Sequence, residues 1–310
     1  LLASTTDDFE MVLVDDGSRD DSAEVLERFG REHPERLVKV VCNPRNLGAS
    51  GARNAGMDAA EGEFLLFTDS DCVAEPAWIE QMVAGLRRTG AAAASGTVLD
   101  KPPTNLAERA YLGSCLVTRK APTLMESNMG LRADLGYRFD AAIFGGEGDD
   151  LEHRLRAGGH RIALVPEAVV HHHHALDLAS YLRMGRQQGR GHAMFWYKHG
   201  RFLGRDILAA GLAVLTLPLG LVDQRLLALP AALALLQVAA ILFNEVRFKG
   251  KPLLEALAVL PVQVPYYAVR TASALRTWAR ILLGREPAIR DSKASWDWAR
   301  RSARRSDPAP

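Results

Sequence analysis

The chain has 310 residues, of which 48% are hydrophobic and 24% charged, and its formal net charge is +1. That composition supplies a core for roughly two domains and lacks the basic excess expected of a nucleic-acid-binding protein. Its three cysteines, Cys42, Cys72 and Cys115, are odd in number and show no CxxC spacing. They read as reduced thiols in a cytosolic portion rather than as a disulfide frame or a cysteine zinc site.

The first residues carry no secretory signal pattern, and the chain does not begin with Met, so targeting is left open. "EMVLVDD" predicts a strand, "DDSAEVLERFGREH" a helix and "LVKVVCN" a second strand. "GASGARNAGMDAAEG" predicts a Gly/Ala-rich helix with a basic face, and "EFLLFTDSD" a third strand. Alternating strands and helices predict an α/β fold with a mostly parallel sheet, its apolar strands buried on both faces. After about residue 205 the texture changes. Residues 207–222 and 226–243 carry no charge, and only "DQR" separates them.

Two strands run into acid: one ends at Asp15 and Asp16, the other at Asp69 and Asp71. In open sheets, ligands bind outside the carboxyl ends of strands. Carboxylates held together call for a cation, and their hard oxygens suit magnesium or manganese. The D-x-D therefore reads as a divalent metal seat facing a diphosphate. The alternative is that each Asp only caps the helix or turn that follows.

Taken as a set, "VLVDDGSRDDS", "NLGASGARNAG", "FLLFTDSDC", "ESNMGLRAD" and "FGGEGDDLEHRLRAGG" resemble a family 2 glycosyltransferase of GT-A fold. The resemblance covers roughly residues 1–200. Against the family's pattern the chain starts after the first strand and its loop, so part of the nucleotide pocket is expected to lie outside it. The resemblance implies that Asp15 and Asp16 meet the base or ribose of a nucleotide sugar. It places Arg53 near the diphosphate or the base, with Gly48 and Gly51 allowing close backbone approach, Asp69 on the ribose and metal, and Asp71 on the metal. Asn128 would form the acceptor-side floor, or else serve as a buried structural Asn.

Glycosyl transfer by direct displacement needs a carboxylate to take the acceptor's proton. The family places it directly after the Glu of a Gly-Glu-Asp-x-Asp-Leu motif, where this chain has Gly148. Asp149 is the first candidate for the base, with Glu147 and Asp150 behind it. Alternatively these acids only begin a helix and favour its dipole. The run His171–His174 ends a strand-like segment, where a histidine can reach the metal in GT-A enzymes. "QQGRG" partly resembles the Q-x-x-R-W of processive synthases, but Gly191 stands where Trp is expected, which argues against processivity. Gln187 and Arg190 remain weak acceptor-side candidates.

The uncharged runs sit at the lower end of what a spanning helix needs, about 17–25 residues. A short membrane hairpin is expected over buried core helices. The following "LLEALAVLPVQVPYYAVRTASALRTWARILLG" reads as interfacial or as a third span. Arginines and tryptophans beyond it suit the cytoplasmic leaflet. The expected layout is a GT-A domain over 1–200, membrane-embedded or interfacial helices over 201–283 and a basic tail over 284–310. The expected protein is a metal-dependent inverting glycosyltransferase of the cytoplasmic membrane, its catalytic domain facing the cytoplasm. Its partners would be a nucleotide sugar, a lipid-linked or glycan acceptor and membrane lipids, with no nucleic acid. A nucleotidyltransferase or a catalytically degenerate nucleotide-sugar-binding module are the rival readings.

Overall fold

The computed structural model describes residues 1–112, 123–201, 221–247 and 249–306, with 212, 216 and 218 besides. They fall into two units. One comprises Leu1–Pro102, Cys115–Ala141 and Glu147–Ala175; the other comprises Pro103–Ser114, Ala142–Gly146 and Leu176–Pro310.

The first unit opens with β1 (Glu10–Asp15), α1 (Ser22–Glu32), β2 (Leu37–Cys42), α2 (Gly48–Ala59) and β3 (Phe64–Phe67), as the sequence predicts. β4 (Cys72–Ala74), α3 (Trp78–Thr89), β5 (Ala93–Asp100), β6 (Met129–Arg132), α5 (Glu147–Ala157) and β7 (Ile162–His172) complete it. β1 and β2 pair in parallel, and the remaining strands form a sheet in the order β3-β6-β5-β7-β4. Met57, Leu65, Met129, Leu131, Phe139, Leu151, Leu155 and Ile162 form the core between sheet and helices.

The expectation of a mostly parallel sheet needs refinement. β1–β2 and β5–β7 are parallel, but β3–β6, β5–β6 and β4–β7 are antiparallel. A parallel neighbour needs a crossover of about a dozen residues or more. β3 and β4, though consecutive in the chain, lie at opposite edges of the sheet and pair with β6 and β7, and no apolar pattern within a strand encodes its direction.

The second unit is helical: α4 (Leu106–Tyr111), α6 (Leu178–Lys198), α7 (Ala228–Arg247), α8 (Leu253–Leu282) and α9 (Pro287–Ser306). The first uncharged run, 207–222, lies almost wholly outside the described residues; the second is α7. α8 runs unbroken through Pro261 and Pro265, where the sequence suggested breaks. One face of it is covered, because Val259, Val262 and Tyr266 pack with Ala107, Ala110 and Tyr181. At the end of α7, the fully buried Glu245 is ion-paired to Lys249 at 2.9 Å and Lys251 at 2.7 Å. Pro287–Ser306 of the basic tail is a helix, and its Ile289 packs with Ile143, Met194 and Ile281.

Candidate active site

The acids at the strand ends take distinct parts. Asp15 is buried and its Oδ2 accepts the Ser18 N–H at 3.1 Å, closing the turn after β1. That turn passes through Gly17 at φ 68°, where an added Cβ would lie 2.6 Å from the Arg45 carbonyl carbon. Asp16 accepts from Asn43 Nδ2 at 2.8 Å, Leu47 N at 3.0 Å and Gly48 N at 2.8 Å. Its carboxylate is therefore the anion at the start of α2, where unpaired N–H groups and the helix dipole favour negative charge. In this arrangement the Asp16 carboxylate and the Gly48 N–H satisfy each other. Gly51 is small for a local reason, since a Cβ there would meet Leu47 Cβ at 2.4 Å.

Asp69 and Asp71 lie on the turn between β3 and β4, closed by Cys72 N–H donating to Asp69 O at 3.0 Å. Arg53 of α2 reaches across to Asp69 Oδ1 at 3.3 Å, while its guanidinium sits 5.4 Å over the Phe139 ring. Asn54, beside it, holds both the N–H and the C=O of Phe139 at 2.9 Å. On the other side of the turn, His172 Nε2 lies 3.2 Å from Asp71 Oδ2. His173 N–H also donates to Asp71 O at 2.8 Å, tying the end of β7 to the turn. Of the four histidines it is thus His172 that stands against the D-x-D. Burial pushes the neighbouring Cys72 thiol up, which keeps it protonated near neutral pH.

The α5 acids differ sharply in setting. Asp150 is fully buried and accepts from Arg154 Nε at 2.7 Å, which orders the start of the helix. Glu147 is buried, and Asp149 is exposed. The sequence reasoning missed a further acid, Glu126. Its Oε1 accepts the Gly148 N–H at 2.7 Å. A Cβ at position 148 would lie 2.6 Å from that Oε1 and 2.7 Å from Cδ, so the glycine makes room for the carboxylate. Burial pushes Glu126 above the usual carboxylate range; the Arg53 charge opposes the shift and Glu147 adds to it. The available signal was the acid in "ESNMG" coupled with a glycine in the base position.

Asn128 is fully buried and its amide is saturated. Oδ1 accepts from Trp78 Nε1 at 2.8 Å, and Nδ2 donates to Thr97 O at 2.8 Å and Ala168 O at 2.9 Å. It pins β5, β7 and α3 together. Gln187 and Arg190 are exposed on α6, in the helical unit. Arg190 lies over the Phe144 ring and 3.8 Å from Glu286. Gly191 is where a tryptophan has no space: a Cβ there would overlap the Gly145 carbonyl oxygen at 1.2 Å.

Residues 1–130 match the family described as glycosyl transferase family 2. An uncharacterized glycosyltransferase of Nostoc sp. is 39% identical over 83 residues, 27% of this chain and 25% of that protein. An undecaprenyl-phosphate 4-deoxy-4-formamido-L-arabinose transferase of Pseudomonas savastanoi is 42% identical over 76 residues, 24% of this chain and 22% of that protein. The chain thus spans about a quarter of the length of these curated relatives. A mannosyltransferase of Pyrobaculum calidifontis, solved with GDP-Man and Mn2+, superposes with a TM-score of 0.52 over 95% of this chain and 79% of its own, at 17% identity. At that identity the likeness speaks for the fold alone. Family match and fold agree with the acid-ended strands and the sheet that carries them: residues 1–130 are similar to glycosyl transferase family 2, and the chain shares the GT-A fold.

Proposed function

We propose that the chain is an inverting, metal-dependent glycosyltransferase that moves a sugar from a UDP-linked donor to a lipid-linked or cell-envelope glycan acceptor. The observation that carries this reading is a set of charged groups in one unit. Arg53 is paired with Asp69 at 3.3 Å and its positive charge also acts on the Glu126 carboxylate, which accepts the Gly148 N–H at the start of α5. Donor-side charge control and a candidate base are thereby brought to one place.

The residues fit a hard divalent cation: Asp69 and Asp71 sit on one turn, their side chains 39% and 46% exposed and so reachable by an ion and a diphosphate. When bound, the cation would offset the charge that grows on the departing diphosphate. Arg53 serves the same end from the α2 side and keeps Asp69 aimed at the turn. Asp15 and its turn support the nucleoside. The acceptor hydroxyl gives its proton to a carboxylate as its oxygen attacks the anomeric carbon, and the nucleoside diphosphate leaves with the bonding electrons. Glu126 is the best placed of the acids for that task, with Asp149 and Glu147 behind it. Its raised affinity for a proton makes it a stronger base than an ordinary glutamate, and the Gly148 N–H orients it. Gly148 also keeps a second reading alive, that of a degenerate nucleotide-sugar-binding module.

The helical unit supports a membrane-bound protein whose catalytic domain faces the cytoplasm. Gln224–Arg247 is long and apolar enough to cross a bilayer, with a hydropathy of 2.4. Leu235, Leu236 and Phe243 on it are exposed, as lipid-facing side chains would be. The test is incubation of the full-length protein in membranes with labelled nucleotide sugars and extracted lipid acceptors. Metal-dependent transfer from a UDP-sugar is expected. Donor binding without transfer to any acceptor would favour the degenerate module, and no donor binding would overturn both readings.

A further inference from the structure

The four histidines at the end of β7 alternate in setting. His172 and His174 are buried, whereas His171 faces Glu75 at 3.2 Å and His173 is exposed. Across the parallel β5–β7 pair, the partner of His172 is Asp100. The side chains of Asp100, His172 and His174 are 5%, 11% and 6% exposed. Asp100 Oδ1 lies 3.5 Å from His172 Nδ1 and 3.6 Å from His174 Nδ1, and the two nitrogens are 3.4 Å apart.

Hydrogen bonds from N–H to oxygen usually span about 2.7–3.2 Å, so these separations are long for direct bonding. Asp100 Oδ1 is buried and accepts no hydrogen bond among the described residues. An ionised oxygen is costly to leave in that position without a cation. The triangle matches one face of a tetrahedral metal site. Ligand atoms about 2.0–2.2 Å from a single ion lie roughly 3.3–3.6 Å from one another.

We propose that Asp100, His172 and His174 bind a zinc ion through Oδ1 and the two Nδ1 atoms, with water in the fourth position. Two imidazoles and one carboxylate are a donor set for zinc rather than for the oxygen-seeking magnesium. The site is separate from the cation seat at Asp69 and Asp71 and would be filled without nucleotide. It also has a consequence for that seat. With His172 Nδ1 on zinc, the ring proton resides on Nε2, which donates to Asp71 Oδ2 across the observed 3.2 Å. Metal-bound histidines commonly give their other N–H to a carboxylate in this way. Zinc would fix the ring, and the ring would aim the second acid of the D-x-D.

The test uses untagged full-length protein in detergent, stripped with chelator and titrated with Zn2+ and with Co2+ in the absence of nucleotide. One equivalent of tightly bound zinc is expected, and with cobalt the intense visible absorption of a tetrahedral site. His174→Asn and Asp100→Asn should each weaken zinc binding at least tenfold while keeping the wild-type circular dichroism spectrum. The His171→Gln/His173→Gln double variant should bind zinc normally, and Asp71→Asn, which alters only the outer carboxylate, should weaken it less than either ligand variant. No stoichiometric zinc in the wild type would overturn the proposal. So would zinc lost in Asp71→Asn but kept in His174→Asn, which would assign the ion to the D-x-D. Sugar transfer is measured separately with Mn2+ and donor, so that failure of the zinc site and failure of the proposed function are distinguished.

Discussion

Replacing Gly148 by alanine adds one carbon at the point where Glu126 rests. The new Cβ would start 2.6 Å from Glu126 Oε1, 2.7 Å from Cδ and 3.0 Å from Oε2. Ordinary non-bonded separations are about 3.5 Å, so the carboxylate must retreat by roughly 0.9 Å. It is the end of a flexible side chain rather than backbone, so the fold should survive. The hydrogen bond from the Gly148 N–H, 2.7 Å in the parent, is lost or weakened. Misplacing a reacting group by about 1 Å typically costs on the order of 10²-fold. The expected outcome is a kcat about 100-fold lower, with UDP affinity within about twofold of the parent. Glu126→Gln, which preserves shape and can still accept from Gly148, should lose about 10²–10⁴-fold in kcat. The pH profile supplies a further readout. Burial raises the Glu126 carboxyl, so the active, deprotonated form is reached at higher pH than for an ordinary glutamate, and activity climbs through that range. Glu126→Gln should remove this acid limb. The assay is steady-state transfer to a membrane acceptor, paired with UDP binding by calorimetry. Near-normal turnover in both Gly148→Ala and Glu126→Gln would refute the reasoning and return the role to Asp149 or Glu147.

Asp71→Asn should abolish turnover and weaken manganese-dependent UDP binding, since a neutral oxygen replaces a charged ligand; metal-dependent activity at the parent level would sink the D-x-D assignment. Asn128→Ala strips a dry site of its hydrogen bonds to Trp78, Thr97 and Ala168 and should cost about 3 kcal/mol, read by chemical denaturation, while leaving UDP affinity of the folded protein unchanged. Gly189→Leu should unfold or loosen the helical unit, because a Cβ there already lies 2.1 Å from the Arg270 carbonyl oxygen; a melting temperature equal to the parent's would contradict the close α6–α8 packing. The full chain should stay with the membrane through carbonate and high-salt washes, since apolar burial is insensitive to screening; release by salt alone would point to electrostatic attachment.

The sequence by itself determined the alternation of β1, α1, β2, α2 and β3, the helix that opens at Glu147, and the placing of acids at two strand ends. These are local properties: apolar periodicity, turn residues and charges within a few positions of one another set them. It also exposed the departure at Gly148 without saying what filled the gap. The tertiary structure decided which partners these polar groups meet. Asp16 accepts from the N–H groups of Leu47 and Gly48, Asp150 from Arg154, and Asn128 bonds to three separate elements. It also set Glu126 against Gly148, 22 positions apart, and Asp100 beside His172 through the β5–β7 register. Such pairings depend on strand order and on the path of the connecting chain, so residues distant in sequence share one site only once the sheet has closed around them.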